Sequence, residues 1–300
     1  MPFGQGIIRS SDLCRLSAIS HELIMKKIPF IKMAGAGNDF LVVENDPKMD
    51  YQKLAPKMCA RQNGVGADGI LVLDRSKTTD YKMRIINADG SEAEMCGNGA
   101  RCMAAYIVAK SAPKKKLFGM ETIAGTILAE AQGDIARVRL SDPKDFRPGI
   151  PLTIAGNKIL VDYIDTGVPH AVLFVEKLQE IDVNKLGALI RNHGQFKPRG
   201  TNVNFVEHIR EGHVAVRTFE RGVEGETLAC GTGSVASALI SYLHANPKIE
   251  ERVDASMKVL TKSSELLEVS FDLLKGKKIT NVWLKGSARF VASGEYYLEA

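Results

Sequence analysis

The chain has 300 residues, 45% hydrophobic and 25% charged, an ordinary globular composition that admits one large domain or two of about 140 residues. Its net charge of +5 comes with no dense basic stripe, only the run Lys114-Lys115-Lys116, and no apolar stretch approaches the ~20 residues that cross a bilayer, so neither nucleic acid nor membrane is an expected partner. Five cysteines (Cys14, Cys59, Cys96, Cys102, Cys230) are too few and too irregular for a disulfide scaffold, and the absence of any C-x-x-C pair argues against structural zinc; free thiols in a reducing cytoplasm fit best.

Residues 1–24 stand apart. Arg9 and Arg15 are balanced by Asp12 and Glu22, and there is no apolar h-region, so the segment reads as a poorly ordered leader or an over-extended start, with Met25 opening the apolar pattern. Met33-Ala34-Gly35-Ala36-Gly37-Asn38-Asp39-Phe40 reads as a glycine-rich loop entering a strand at Leu41-Val42-Val43. It lacks the Lys of a phosphate-cradling loop and instead lets Asn38 approach a ligand. A helix is predicted over 51–62, closed by Asn63-Gly64, with strands over 69–73 and 81–86 and a polar turn at Asn87-Ala88-Asp89-Gly90-Ser91-Glu92. Then comes Cys96-Gly97-Asn98-Gly99, running into a helix of small residues to about Lys110. The segments 126–131 and 135–140 form a hairpin.

Ser141-Asp142-Pro143 marks the expected boundary between a first domain, 25–141, and a second, 142–286. Strands over 158–164 and 171–175 flank the irregular Asp165-Thr166-Gly167-Val168-Pro169-His170. A helix over 182–192 comes next, then Gly200-Thr201-Asn202-Val203-Asn204-Phe205, which echoes Gly37-Asn38-Asp39-Phe40. A strand over 214–219 ends on Glu220-Arg221-Gly222, and a short loop delivers Cys230-Gly231-Thr232-Gly233, again entering a small-residue helix. The segments 257–260, 266–271, 282–284 and 288–291 are strand-like.

The chain therefore presents the same device twice: a cysteine at a glycine-permitted turn that starts a helix. A helix N-terminus offers unpaired N–H groups and a partial positive charge, which suit a thiolate or a carboxylate. Two such cysteines could be redox partners, metal ligands, or an acid and a base on opposite faces of one ligand. Metal is disfavoured because no further Cys or His lies at ligand spacing, and a redox pair leaves the Gly-rich turns and nearby Asn residues without purpose. The third reading uses every part. One thiolate removes an α-proton, the other thiol returns one, and N–H groups at Gly97-Asn98 and Gly231-Thr232 hold the carboxylate whose enediolate develops. Cys14, Cys59 and Cys102 read as small apolar fillers. His170 reads equally as a structural histidine or as a partner of a thiol. The pair Glu220-Arg221 suits a ligand bearing both ammonium and carboxylate.

These residues resemble the diaminopimelate epimerase family over nearly everything from Ile28 onward. The resemblance rests on Gly37-Asn38-Asp39-Phe40, Gly64-Val65-Gly66-Ala67-Asp68, the segment 87–92, Cys96-Gly97-Asn98-Gly99-Ala100-Arg101, Pro169-His170, Asn202, Glu220-Arg221-Gly222 and Ala229-Cys230-Gly231-Thr232-Gly233. It implies an α+β fold of two pseudo-symmetric domains, each a mostly antiparallel, barrel-like sheet around a central helix. The site would lie in the cleft, and a final strand (287–300) would return to the first domain. It implies a cytoplasmic homodimer, without cofactor or metal, that interconverts L,L- and meso-diaminopimelate. Cys96 and Cys230 would be the acid/base pair, with His170 and Glu220 tuning them. Asn38, Asn87, Asn202, Glu220 and Arg221 would hold the substrate's ends, and Gly97, Asn98, Gly231 and Thr232 the reacting carboxylate. Gly69 stands where some family members carry Gln, and Val168 where some carry Asn. The competing expectations are a proline or hydroxyproline racemase and, from another class, a non-catalytic thiol-redox or amino-acid-binding protein.

Overall fold

The computed structural model describes residues 26–112 and 116–298. The expected leader at 1–24, Cys14 and two lysines of the 114–116 run lie outside the described residues.

Strands β1 (Lys27–Gly35) and β2 (Asn38–Glu44) form a hairpin. Its turn is only Ala36 and Gly37, at φ 52° and 89°. Left-handed backbone at both central positions matches the twist of the flanking strands. The glycine-rich loop expected over 33–40 is therefore mostly strand, with Met33 opposite Phe40 and Gly35 opposite Asn38. Gly35 serves close packing rather than a turn: a Cβ there would lie 2.9 Å from the Ser287 carbonyl oxygen. A crossover containing α1 (Tyr51–Met58) leads to β3 (Gly69–Asp74), parallel to β2. The helix is shorter than predicted because the N–H groups of Gly64, Val65 and Gly66 turn back to the Ala60 and Met58 carbonyls. Next, β4 (Tyr81–Asn87) runs antiparallel to β3 and carries the short β5 (Glu92–Ala93). After α2 (Gly97–Ser111) the chain returns in β6 (Phe118–Thr122), parallel to β4, and finishes in the meander β7 (Gly125–Gln132) and β8 (Ile135–Arg139).

The order then repeats. β9 (Lys144–Ile154) flanks β10 (Asn157–Asp165), which forms a hairpin with β11 (Pro169–Phe174). A crossover through α3 (Val183–Arg191) leads to β12 (Asn202–Arg210), parallel to β11. β13 (His213–Glu220) carries the short β14 (Gly225–Thr227). Helix α4 (Gly231–Ala245) precedes β15 (Val253–Leu260), parallel to β13, and the meander β16 (Leu266–Leu274) and β17 (Lys278–Ser287). β17 pairs with β8, and β18 (Arg289–Tyr297) pairs with β1, so the eighteen strands of the described residues belong to one hydrogen-bonded system.

Two further details differ from the sequence reading. The pattern does not predict β9, where Pro148 and Pro151 interrupt the apolar residues. As an outer strand, paired only with β10, it tolerates residues that cannot donate. The echo of 37–40 in 200–205 is also out of register. Asn202 stands opposite His170 as Gly69 stands opposite Phe40, so the counterpart of Asn202 is Gly69 and not Asn38.

The two repeats bury their long helices. Ala100, Cys102, Met103, Ala104, Ala105 and Ile107 of α2 are at most 1% exposed, and Val235, Ala236, Ala238, Leu239 and Ile240 of α4 are all at 0%. A helix apolar on every face belongs in a core, and small side chains let the wrapped strands approach it. Both helices join one hydrophobic cluster that also takes in Leu284 of β17. Each fully buried Leu, Ile or Val there contributes roughly 1.5–3 kcal/mol.

Candidate active site

Cys96 caps α2 at φ −141°, ψ 116°, and Cys230 caps α4 at φ −116°, ψ 113°. Each Sγ accepts the N–H three residues on, from Gly99 and from Gly233, both at 3.4 Å. This is the position that Ser or Asp takes in ordinary helices, so the thiol is held in place by the helix it starts. The N–H groups of Gly97, Asn98, Gly231 and Thr232 are those that helix geometry leaves without an intrahelical acceptor.

The two N-termini meet. A Cβ on Gly97 would lie 3.5 Å from Leu284 Cδ2, and one on Gly231 would lie 3.1 Å from the same atom and 3.9 Å from Gly97 Cα. They open on a cavity of about 680 Å³. Its wall includes Cys96, Gly97, Asn98 and Asn38 from the first repeat and Cys230, Gly231, Thr232, Asn202, Glu220 and Arg221 from the second. Ten of the expected site residues are thus brought together.

Two are not on this wall. Asn87 is exposed at the end of β4, its Nδ2 donating to Ser91 Oγ at 2.9 Å. His170 is fully buried behind the cavity. Asn204 Nδ2 lies 3.1 Å from His170 Nδ1; an amide N–H there makes Nδ1 the acceptor and puts the proton on Nε2, which has no partner. Burial, helped by the charge of Arg221, lowers the His170 pKa to about 3, so the ring is neutral.

The polar wall is interlocked. Asn38 donates to Asp68 at 2.9 Å and accepts from Asn98 Nδ2 at 2.7 Å. Asn202 donates to the Pro169 carbonyl at 3.0 Å and accepts the backbone N–H of Arg221 at 2.9 Å. The Thr227 hydroxyl donates to Glu220 at 2.6 Å. Val168 lines the cavity with an apolar side chain, and no side chain fits at Gly69, where a Cβ would lie 2.6 Å from the Ile86 carbonyl oxygen.

The thiols are electrostatically unequal. Burial pushes the Cys96 pKa up, while the N–H groups of Gly99 and Asn98 and the Arg101 charge oppose it. Cys230 is pushed well above the ordinary thiol range by burial and then by the Glu220 carboxylate, against the Thr232 hydroxyl at 3.5 Å and the Gly233 N–H. Burial also raises Glu220. Cys59 and Cys102, off the cavity wall, are pushed by burial to about 11 and about 12, which suits inert fillers. Among the described residues, no three His, Cys, Asp or Glu side chains converge as a metal site requires. The arrangement supports proton removal and delivery next to a bound carboxylate.

Sequence reasoning does not assign Arg101, Glu94 or Arg139. Glu94 lines the cavity from the bend that follows β5 and Arg139 from the last position of β8, neither of which carries a motif. Arg101 is visible only as a single charge inside a run of small buried residues.

The sequence profile of the diaminopimelate epimerase family matches residues 30–143 and 163–267. A diaminopimelate epimerase of Aquifex aeolicus is 39% identical over 279 residues, 88% of this chain and 96% of that protein. Among solved structures, a PhzF-family phenazine biosynthesis protein of Bacillus anthracis superposes with a TM-score of 0.69 at 17% identity, covering 90% of this chain and 99% of that one. A hydroxyproline epimerase of Agrobacterium vitis superposes with a TM-score of 0.64 at 15% identity, covering 91% and 93%. At these identities the structural likeness establishes the fold.

Proposed function

The chain belongs to the diaminopimelate epimerase family, and from that premise we propose that it interconverts L,L- and meso-diaminopimelate by proton transfer between two thiols, without a cofactor. The observation that carries this reading is the pair Cys96 and Cys230, each capping a buried helix with the same geometry and both opening on one cavity. The substrate carboxylate sits against the first-turn N–H groups of α2 and α4, so its α-carbon lies between the sulfurs. One cysteine, as thiolate, takes the α-proton. The electron pair passes into the carboxylate as an enediolate, which the N–H donors and helix dipoles stabilise. The opposite thiol then protonates carbon from the other face and becomes the thiolate. Charge and protons balance, and each cysteine serves as base for one direction.

Glu220 and Arg221 fit a second, distal amino-acid end, with the carboxylate of one meeting the ammonium and the guanidinium of the other meeting the carboxylate. A cyclic imino acid has no such end, which favours diaminopimelate over proline or hydroxyproline. Asn38 and Asn202 hold the walls in place around it. The two repeats act as the two domains, meeting along β8 and β17 with the site between them. Both thiols must stay reduced, a requirement that a reducing cytoplasm meets. The open edge of β18, with Phe290 46% and Val291 56% exposed, is where a second copy would pair in a homodimer. The test is direct: L,L-diaminopimelate, proline and 4-hydroxyproline are offered separately to the reduced protein. Conversion of diaminopimelate alone supports the reading; conversion of an imino acid alone would replace the substrate.

A further inference from the structure

Arg101 lies one turn beyond Cys96 in α2 and is 0% exposed, the largest fully buried side chain of the described residues. The guanidinium donates to Asn98 Oδ1 at 2.9 Å, to the Gly97 carbonyl at 3.4 Å and to the Ser287 carbonyl at 3.5 Å. None of these acceptors is charged, and among the described residues no carboxylate forms an ion pair with it. A buried charge left this way is costly unless its position is used. Room is made for it: a Cβ on Gly286 would lie 3.2 Å from its Nε and 3.4 Å from its Cζ. The second repeat has nothing similar, since Val235, also fully buried, takes the equivalent place five residues after Cys230.

The hydrogen bonds continue in one direction. Arg101 donates to Asn98 Oδ1, Asn98 Nδ2 donates to Asn38 Oδ1, Asn38 Nδ2 donates to Asp68 Oδ2, and Arg61 closes the line on Asp68 Oδ1 at 2.7 Å. An amide can sit either way round; a guanidinium at one end and a carboxylate at the other permit only one orientation of each. Asn98 and Asn38, both on the cavity wall, therefore each keep one N–H that this line does not use, a donor suited to a carboxylate.

We propose that Arg101 is a positioning residue of the Cys96 side: its guanidinium fixes the Asn98 and Asn38 amides and places a single positive charge next to Cys96 that Cys230 lacks. The other groups facing this pair are Glu220, which acts on Cys96 from β13, and Glu265 and Cys102, which face Arg101. Glu265 is already engaged by the Ala36 N–H at 3.0 Å, by Ser287 and by Arg289 at 3.0 Å. The turnover part of this inference rests on the epimerase reading; the electrostatic part does not.

The experiment uses the full chain with Arg101→Met and Arg101→Lys, thermal melting as the check on folding, and two readouts. Iodoacetamide labelling of Cys96 and Cys230 is monitored peptide by peptide across pH, and kcat and KM are measured for diaminopimelate. Arg101→Met is expected to move the Cys96 labelling midpoint up by ~1 unit or more, leave that of Cys230 in place, and lower kcat ~100-fold. Arg101→Lys keeps the charge and the midpoint but raises KM, because an ammonium cannot fork across Asn98 and Gly97. A folded Arg101→Met whose Cys96 midpoint stays, or moves together with that of Cys230, overturns the inference. If Arg101→Met does not fold, Arg101→Lys decides: raised KM with an unmoved midpoint supports it, and parental kcat and KM overturn it. Labelling needs no turnover. A parent chain that leaves diaminopimelate unchanged would therefore count against the epimerase reading and not against Arg101.

Discussion

Gly97 and Gly231, the first residues of the two cysteine-capped helices, lie against the same side chain, Leu284, and the Cβ position of Gly231 is 3.9 Å from Gly97 Cα. The two positive helix ends converge so closely that one small anion can meet both. Neither position has φ above zero, so the backbone conformation does not call for glycine here; at Gly231 the 3.1 Å approach of a Cβ to Leu284 does.

The second glycine of each turn, three residues after the cysteine, is more tightly enclosed: a Cβ on Gly99 would lie 2.9 Å from Leu71 Cδ2. A Cβ on Gly233 would collide with Asn204 Oδ1 and come within 3.3 Å of the Cys230 sulfur, whereas one on Gly97 meets only Leu284 at 3.5 Å. Gly233→Ala is expected to destabilise the fold by ~1–3 kcal/mol, and Gly97→Ala to be near neutral. Urea unfolding of both variants checks this.

The helix ends match, but what lies beneath them does not. Phe40, Leu71 and Ile85 in the first repeat correspond by register to His170, Asn204 and Thr218 in the second. The latter trio is fully buried and hydrogen-bonded, Thr218 donating to Asn204 at 3.0 Å. With a native pKa of about 3, His170 refuses a proton that the unfolded chain accepts below ~6.5. Its contribution to stability is therefore complete above ~6.5 and is lost as pH falls toward 3, at up to ~1.4 kcal/mol per pH unit. Converting the trio to Phe, Leu and Ile together should flatten that part of the stability curve, as denaturant midpoints measured from pH 7 to pH 4 would show.

Substrate is expected to close the cavity from one side. The Gly37 turn already packs on the second repeat, its Cβ position 2.7 Å from Leu228 Cβ and 3.1 Å from Ser263 Cβ. By the repeat, the Gly167 turn should pack on Glu94 and Ala124, which are tied together as Leu228 and Ser263 are. A Cβ on Gly167 meets nothing within 4 Å. On this side the cavity is open. Saturating substrate is expected to slow amide hydrogen exchange at 165–168 and 122–125 while leaving 36–37 unchanged; equal protection of both turns would count against one-sided access.

Gly69→Gln, which restores a residue found in some family members, is expected to lower the melting temperature. The new Cβ must displace the Ile86 carbonyl, 2.6 Å away, at a cost of ~1–3 kcal/mol. A melting temperature equal to the parent's would refute this packing argument.

Much of the site is legible in the sequence because its chemistry is local. Cys96 and Cys230 are each marked by a glycine one and three positions later, and capping depends on nothing further away. The illegible parts depend on pairing between distant segments. Asn202 looks like the partner of Asn38 because each follows a glycine within two residues; only the parallel register of β11 with β12 shows that Gly69 is its counterpart. Asn87 and His170 belong to the family pattern, yet one faces solvent and the other lies behind the wall. Sequence cannot tell a residue that touches a ligand from one that supports those that do. Arg101 is hidden by its neighbours: a lone Arg in a small-residue helix shows its role only once its burial is known.

Inversion by two opposed thiols is put to the test in D2O, under reducing conditions, by monitoring the α-proton of L,L-diaminopimelate by proton NMR with the parent chain, Cys96→Ala and Cys230→Ala. The parent is expected to lose the α-proton signal as the meso isomer forms with solvent deuterium at the inverted carbon, and neither variant is expected to produce the meso isomer. Full epimerisation by either single-cysteine variant would contradict a two-thiol mechanism, because inversion would then need only one of the two thiols.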